Sequence, residues 1–117
     1  MIASEIAKLV ARREAACEAF ISQPANVALR QDLHAALSPA LAEGFQPDLG
    51  IDRSGDGKVL YGLMRQAAAY ARILRTRIDS AASGRFSEPF ASEHLVVAAR
   101  ELQSNLFQLR RFLDLGA

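Results

Sequence analysis

The segment DRSGDGKVLYGL, residues 52–63, comes closer to a metal-binding pattern than any other part of the chain. Oxygen-bearing side chains alternate along it before a glycine, as at the start of an EF-hand calcium loop: Asp52, Ser54, Asp56 and Gly57. That loop also needs an oxygen ligand at its ninth position and a glutamate at its twelfth, where this chain has Leu60 and Leu63. A phosphate loop is excluded too, because valine follows Lys58. We therefore predict a tight turn without a metal or cofactor, with Asp56 capping the helix that follows.

His34 opens the segment HAALSPAL, in which serine and proline follow at fixed spacing. The pattern His-x-x-x-Ser-Pro of His34, Ser38 and Pro39 resembles the phosphoacceptor box of histidine-kinase dimerisation domains, which lies on a helix of a four-helix bundle. This resemblance implies a histidine phosphotransfer carrier that uses His34. In that box an acid follows the histidine and supports proton handling on the imidazole, whereas Ala35 stands there in this chain. The alternative is a surface or partly buried histidine beside a proline kink, and a match this short favours it.

The remaining nucleophilic or metal-ligating side chains have no partners at a recognisable spacing. Cys17 is the single cysteine, and His94 is the only histidine besides His34, so zinc-ligand spacing is absent. Cys17 and His34 could act as nucleophile and base, but no third group orients them. Cys17 falls on the apolar face of its segment, where cysteine behaves as a small hydrophobe. We predict no catalytic, cofactor-binding or metal residue, and a protein that is not an enzyme and has no evident small-molecule substrate.

Two sets of residues are candidates for contacts with a macromolecule. Arg65, Arg72 and Arg75 form a basic edge on the third apolar segment, and such an edge can grip phosphate groups or an acidic partner. A nucleic-acid-associated regulator is therefore one alternative, although a formal net charge of only +1 makes nucleic acid an unlikely partner. Phe107 and Arg111 on the last segment complete the candidate interaction residues.

The hydrophobic pattern predicts that helices position all of these residues, because apolar side chains recur every three or four positions and no strand alternation appears. The first helix is predicted to break at Ser22-Gln23-Pro24, with Pro24 in the first turn of the second. The second is predicted to reach Gly44 and to be kinked or broken at Pro39.

The third predicted helix starts at Asp56 or Gly57 and stops at Ser83-Gly84. The fourth spans about 92–115, with Ser92 as its N-cap. Because short connections favour antiparallel neighbours, we predict an all-α, four-helix up-down antiparallel bundle in one domain, residues 1–117. The apolar faces of the first and fourth helices look wider than one neighbour would cover, which predicts dimerisation or a docking groove.

The composition is that of an ordinary globular domain, with 50% hydrophobic and 23% charged residues. A lone cysteine is typical of a reducing compartment, and charges interrupt any apolar leader or membrane span, so we expect a cytoplasmic protein. These features predict a small non-catalytic interaction, adaptor or regulatory module that binds another protein or itself as a homodimer, without a membrane.

Overall fold

The computed structural model describes residues 3–38 and 56–115, which form four α-helices and no strand. They are α1 (Ala3–Ser22), α2 (Val27–Ala36), α3 (Asp56–Ala82) and α4 (Phe90–Leu115). The predicted all-α class and four-helix architecture are confirmed. No helix in these two ranges is long and apolar enough to cross a membrane.

The helices pack in an antiparallel up-down arrangement. Gln103 donates a hydrogen bond to Glu18 over 2.8 Å, and Arg110 donates one to Glu14 over 2.8 Å, so α1 and α4 run in opposite directions. α4 packs against both α3 and α1, while α2 lies against α1 and α3. Two neighbours therefore cover the wide apolar face of α4, and its width alone does not indicate a second copy of the chain.

The core follows the helical period predicted from the sequence. On α4 the buried seam steps by four and three residues: Leu95, Ala99, Leu102, Leu106 and Leu109. It meets the corresponding seam of α3, whose fully buried members include Met64, Ala67 and Leu74. Burying one leucine side chain stabilises the fold by roughly 1.5–3 kcal/mol, so this continuous seam supplies much of the driving force for packing.

The end of α3 is set by a glycine, as predicted. Gly84 has φ +82°, in the left-handed region that glycine enters without a Cβ clash. With that turn, the Arg85 amide donates to the Ser80 carbonyl over 3.0 Å and the Gly84 amide donates to the Ala81 carbonyl over 3.1 Å. These bonds satisfy carbonyl groups that the helix itself leaves without partners.

The start of α2 differs from the prediction, which placed Pro24 in its first turn. Residues 23–26 instead form a turn, in which the Asn26 amide donates to the Gln23 carbonyl over 3.0 Å. The helix begins at Val27, and the side chain of Asn26 caps it by accepting from the Leu29 amide over 3.1 Å. Because Asn26 is the cap and Val27 the first helical residue, Pro24 lies before the helix, and the prediction for Pro24 was wrong.

The predicted cap of α4 was wrong as well. α4 begins at Phe90, and the Ser92 hydroxyl donates to Glu88 instead of capping the helix. Arg30 of α2 donates to Ser92 over 2.9 Å and pairs with Glu88. Ser92 is thus part of a polar cluster that ties α2 to the α3–α4 connection. The hydrogen bonds that Ser92 and Arg30 donate to the Glu88 carboxylate lower the pKa of Glu88.

The second helix ends before the proline that was predicted to kink or break it. α2 stops at Ala36, with Leu37 as its C-cap. A residue preceding proline is disfavoured in the helical region, which explains why the helix has ended before Ser38. The predicted continuation through Pro39 to Gly44 lies outside the described residues.

Candidate functional site

Among the described residues, one charged side chain lies in the core, on the buried face of α1. Arg13 is 2% exposed and occupies a position of the same seam as Val10 and Cys17. The sequence analysis did not predict that Arg13 is buried. Arg13 follows Val10 by three residues and precedes Cys17 by four, which is the spacing of residues on one face of a helix. An arginine in this position needs polar partners, because burying an uncompensated charge is costly.

Arg13 has one hydrogen-bond partner and one free nitrogen among the described residues. Its Nη2 donates to the Ser38 carbonyl over 2.9 Å, just beyond the negative C-terminal end of α2. Its buried Nε has no partner in this part of the chain. The pKa of Arg13 is lowered to about 10, chiefly by burial; Cys17 opposes the shift, and the charges of Arg12 and Arg75 add to it. The guanidinium therefore remains charged at neutral pH.

A cavity of about 180 Å³ lies beside this guanidinium, between the end of α2 and the middle of α3. Among the described residues, its lining contains three arginines, no acid, and small or apolar groups: Arg13, Arg72, Arg75, Leu37, Ser38, Ala68 and Ala71. The Nε of Arg75 is buried and, like that of Arg13, has no hydrogen-bond partner among the described residues. We call this site the arginine cavity.

The predicted basic edge of α3 is therefore divided by the structure. Arg72 and Arg75 line the arginine cavity, whereas Arg65 lies over the ring of Tyr61, 5.8 Å from its centroid. Arg75 is half-buried, while Arg65 and Arg72 are exposed. The three candidate residues do not form one uniformly exposed stripe.

The other candidate residues, Phe107 and Arg111, lie together on α4. The Phe107 ring is 46% exposed, and the guanidinium carbons of Arg110 and Arg111 lie 5.2 and 6.0 Å from its centroid. A groove of about 540 Å³ runs beside the ring, with Glu14 of α1 as its acidic wall. We call Phe107, its two flanking arginines and the other α4 groove residues the Phe107 surface: Arg100, Gln103, Ser104, Phe107, Arg110 and Arg111.

The structure places an acid beside His34 that the local sequence does not supply. His34 Nε2 lies 2.9 Å from Asp79 Oδ1 of α3, a pair that packs α2 against α3. Nε2 is buried and forms no hydrogen bond with a described residue, although Asp79 lies within ion-pair distance. Ser38 belongs to the arginine cavity, and Pro39 lies outside the described residues.

The other reactive residues take part in packing. Cys17 is completely buried, and burial raises the pKa of its thiol to about 12, so it remains protonated at neutral pH. His94 stacks on Phe90 at 5.3 Å and meets the edge of Phe86 at 4.8 Å. No group of three potential metal ligands forms within residues 3–38 and 56–115. The tight turn predicted from Gly55 and Gly57 begins outside those ranges, and α3 begins at Asp56.

Comparison of the chain with known protein families, with curated proteins and with solved structures finds no match. The fold thus defines the class of the protein as all-α with four packed helices. A functional assignment has to come from the Phe107 surface and the arginine cavity themselves.

Proposed function

We propose that this chain is a non-catalytic interaction module that binds an acidic segment of another protein through the Phe107 surface. The observation that carries the proposal is the half-exposed Phe107 ring between the guanidinium groups of Arg110 and Arg111. Aromatic residues and arginine are the side chains most enriched at the centres of protein interfaces.

The charges of this surface favour an acidic partner. Arg110 is already paired with Glu14, but Arg100 and Arg111 have no carboxylate partner within the described part of the chain. A guanidinium offers a planar fork of donors that matches a carboxylate with two parallel hydrogen bonds. A partner segment with an aspartate or glutamate next to an apolar residue would therefore fit this surface: the carboxylate would pair with an arginine, and the apolar residue would contact the Phe107 ring.

A second copy of this chain is a less suitable partner for the same surface. A two-fold interface would bring the Arg100 and Arg111 side chains of both copies close together, and like charges oppose such a contact. The covered apolar face of α4 supplies no separate argument for a homodimer. We therefore favour a different protein as the partner.

The two alternative functions receive less support from the geometry. A phosphocarrier needs an accessible imidazole nitrogen, and one of the two ring nitrogens of His34, Nε2, is buried against Asp79. A nucleic-acid regulator using Arg65, Arg72 and Arg75 would need side chains that follow a phosphate backbone, whereas Arg75 is half-buried at the arginine cavity.

A random peptide library selected against the purified chain tests the proposal and does not require the partner to be identified first. The enriched peptides should carry aspartate or glutamate beside an apolar residue, and their affinity should fall as salt is added. Phe107→Ala and Arg111→Gln should each weaken binding by roughly tenfold or more, as substitutions at interface hot spots do.

Val97→Ala is the matched control, because Val97 is an apolar residue of α4 that is 55% exposed and lies outside the Phe107 surface. It should leave peptide affinity unchanged, and circular dichroism should show that all variants keep their helices. Absence of any enriched peptide, enrichment of basic peptides, or equal affinity for the wild type and Phe107→Ala would each contradict the proposal.

A further inference from the structure

Among the described residues, three positive side chains and no negative one line the arginine cavity. Arg13 is almost completely buried, and its Nε and that of Arg75 are both buried without a partner among the described residues. Buried polar atoms in native proteins are nearly always hydrogen-bonded, so two free donors at one cavity require an explanation. A bound anion that accepts hydrogen bonds from the Nε atoms of Arg13 and Arg75 explains both free donors.

The cavity also has space for such an acceptor. Ala68 and Ala71 form part of the α3 wall, and their short side chains leave about 180 Å³ between that wall and Arg13. A water molecule takes about 30 Å³ in the liquid, so the space corresponds to roughly six waters. That is enough for a phosphate group and its nearest substituent atoms.

The arrangement of charges favours a phosphate over a singly charged anion. Each guanidinium presents parallel N–H donors, and three of them can share the several oxygens and the double charge of a phosphate. Without such a ligand the charges of Arg13 and Arg75 repel each other, which adds to the effect of burial in lowering the pKa of Arg13.

We propose that the arginine cavity binds a phosphate group, either as inorganic phosphate or as the end group of a small phosphate monoester, through Arg13, Arg72 and Arg75. Arg13 forms the floor of the site, and it also holds the end of α2 through the Ser38 carbonyl. Phosphate binding is therefore expected to stabilise the contact between α1, α2 and α3. This site uses no residue of the Phe107 surface, so either proposal can fail without the other.

The test is a titration of the purified full chain in Tris chloride buffer at constant ionic strength. Inorganic phosphate and glycerol phosphate are the two probes, and acetate is the singly charged comparison. We expect saturable binding in calorimetry by at least one phosphate probe, tighter than by acetate, and a melting temperature that rises with the logarithm of phosphate concentration. Tighter binding of glycerol phosphate identifies a monoester site, and tighter binding of inorganic phosphate identifies a site for the free ion.

Variants of the arginines connect the binding to the cavity. Arg72→Gln and Arg75→Gln should each weaken phosphate binding by roughly tenfold or more, because each removes a charge-assisted hydrogen bond. Arg65→Gln is the matched control on the same helix and should bind phosphate like the wild type. If the Arg13→Met variant folds, it should not bind phosphate. If it does not fold, the Arg72→Gln and Arg75→Gln variants decide whether the cavity binds phosphate.

Several results would overturn the proposal. One is the absence of saturable phosphate binding up to roughly 10 mM. Another is an equal rise in melting temperature for the wild type, Arg65→Gln and Arg75→Gln, which would indicate general stabilisation by an excluded salt. A third is strong coupling between Arg75→Gln and Glu43→Gln, Asp48→Asn or Asp52→Asn in a double-mutant cycle without phosphate. These three acids lie outside the described residues, and such coupling would mean that a carboxylate of the chain itself fills the site.

Discussion

Replacement of Cys17 by alanine should remove a loss of stability that the wild-type protein undergoes above pH 9. Cys17 is completely buried, and burial raises the pKa of its thiol from 9.0 to about 12, while the charge of Arg13 opposes the shift and Glu14 and Glu18 reinforce it. The thiol therefore stays protonated in the folded protein under conditions where the unfolded chain already releases the proton. Alkaline pH favours the unfolded state for this reason.

The sign and size of the effect follow from the two pKa values. Because the folded pKa is raised, the stability contributed by the protonated thiol is complete below pH 9 and is lost between pH 9 and about 12. One pKa unit corresponds to 1.36 kcal/mol, so the free energy of unfolding should fall by about 1 kcal/mol between pH 8 and pH 10. Cys17→Ala lacks this contribution, although the missing sulfur lowers its stability by a similar amount at both pH values.

Urea denaturation of both proteins at pH 8 and pH 10 measures the effect. The other ionisable groups are present in both proteins, so their contributions cancel when the two pH differences are compared. Val10→Ala is the matched control, because it opens a space on the same buried face of α1 and retains the thiol. An identical pH dependence in the wild type and Cys17→Ala would refute the reasoning.

Two further substitutions test the core and the cap of α2. Leu102→Ala should lower the free energy of unfolding in urea by about 2–5 kcal/mol, because Leu102 is fully buried in the α4 seam, whereas exposed Val97→Ala should change it by less than about 0.5 kcal/mol. Equal losses of unfolding free energy in Leu102→Ala and Val97→Ala would show that the α4 seam is not the core. Asn26→Ala should cost about 1 kcal/mol in the same assay, because the Leu29 amide loses its side-chain acceptor, and exposed Val27→Ala is the neighbouring control. No difference between the Asn26 and Val27 variants would remove the assigned cap.

The ends of α2 show where local sequence stops determining structure. Pro24 and Asn26 are both good residues for a helix start, and they stand two positions apart, so the sequence permits either as the boundary. The choice falls on Asn26 because the chain turns through residues 23–26 to lay α2 against α1. The bulk of the bundle was easier to predict, because the seam of α4 depends on a repeating pattern instead of a single residue.

The two candidate sites also differ in how far the sequence predicts them. Phe107, Arg110 and Arg111 lie within about one helical turn, so their proximity follows from the sequence once α4 is known to be a helix. The arginine cavity does not follow from the sequence, because Arg13, Ser38 and Arg75 come from separate parts of the chain. Asp79 likewise reaches His34 only through the packing of α3 on α2.

By itself the amino-acid sequence determined which segments are helical, where α3 stops, and which leucines face inward, since these properties depend on neighbours within a few residues. Only the tertiary structure decided that Arg13 is buried, that Arg72 and Arg75 share its cavity, and that Asp79 lies beside His34. Burial and the meeting of charges depend on distant segments, and a one-dimensional pattern does not specify which of them become neighbours.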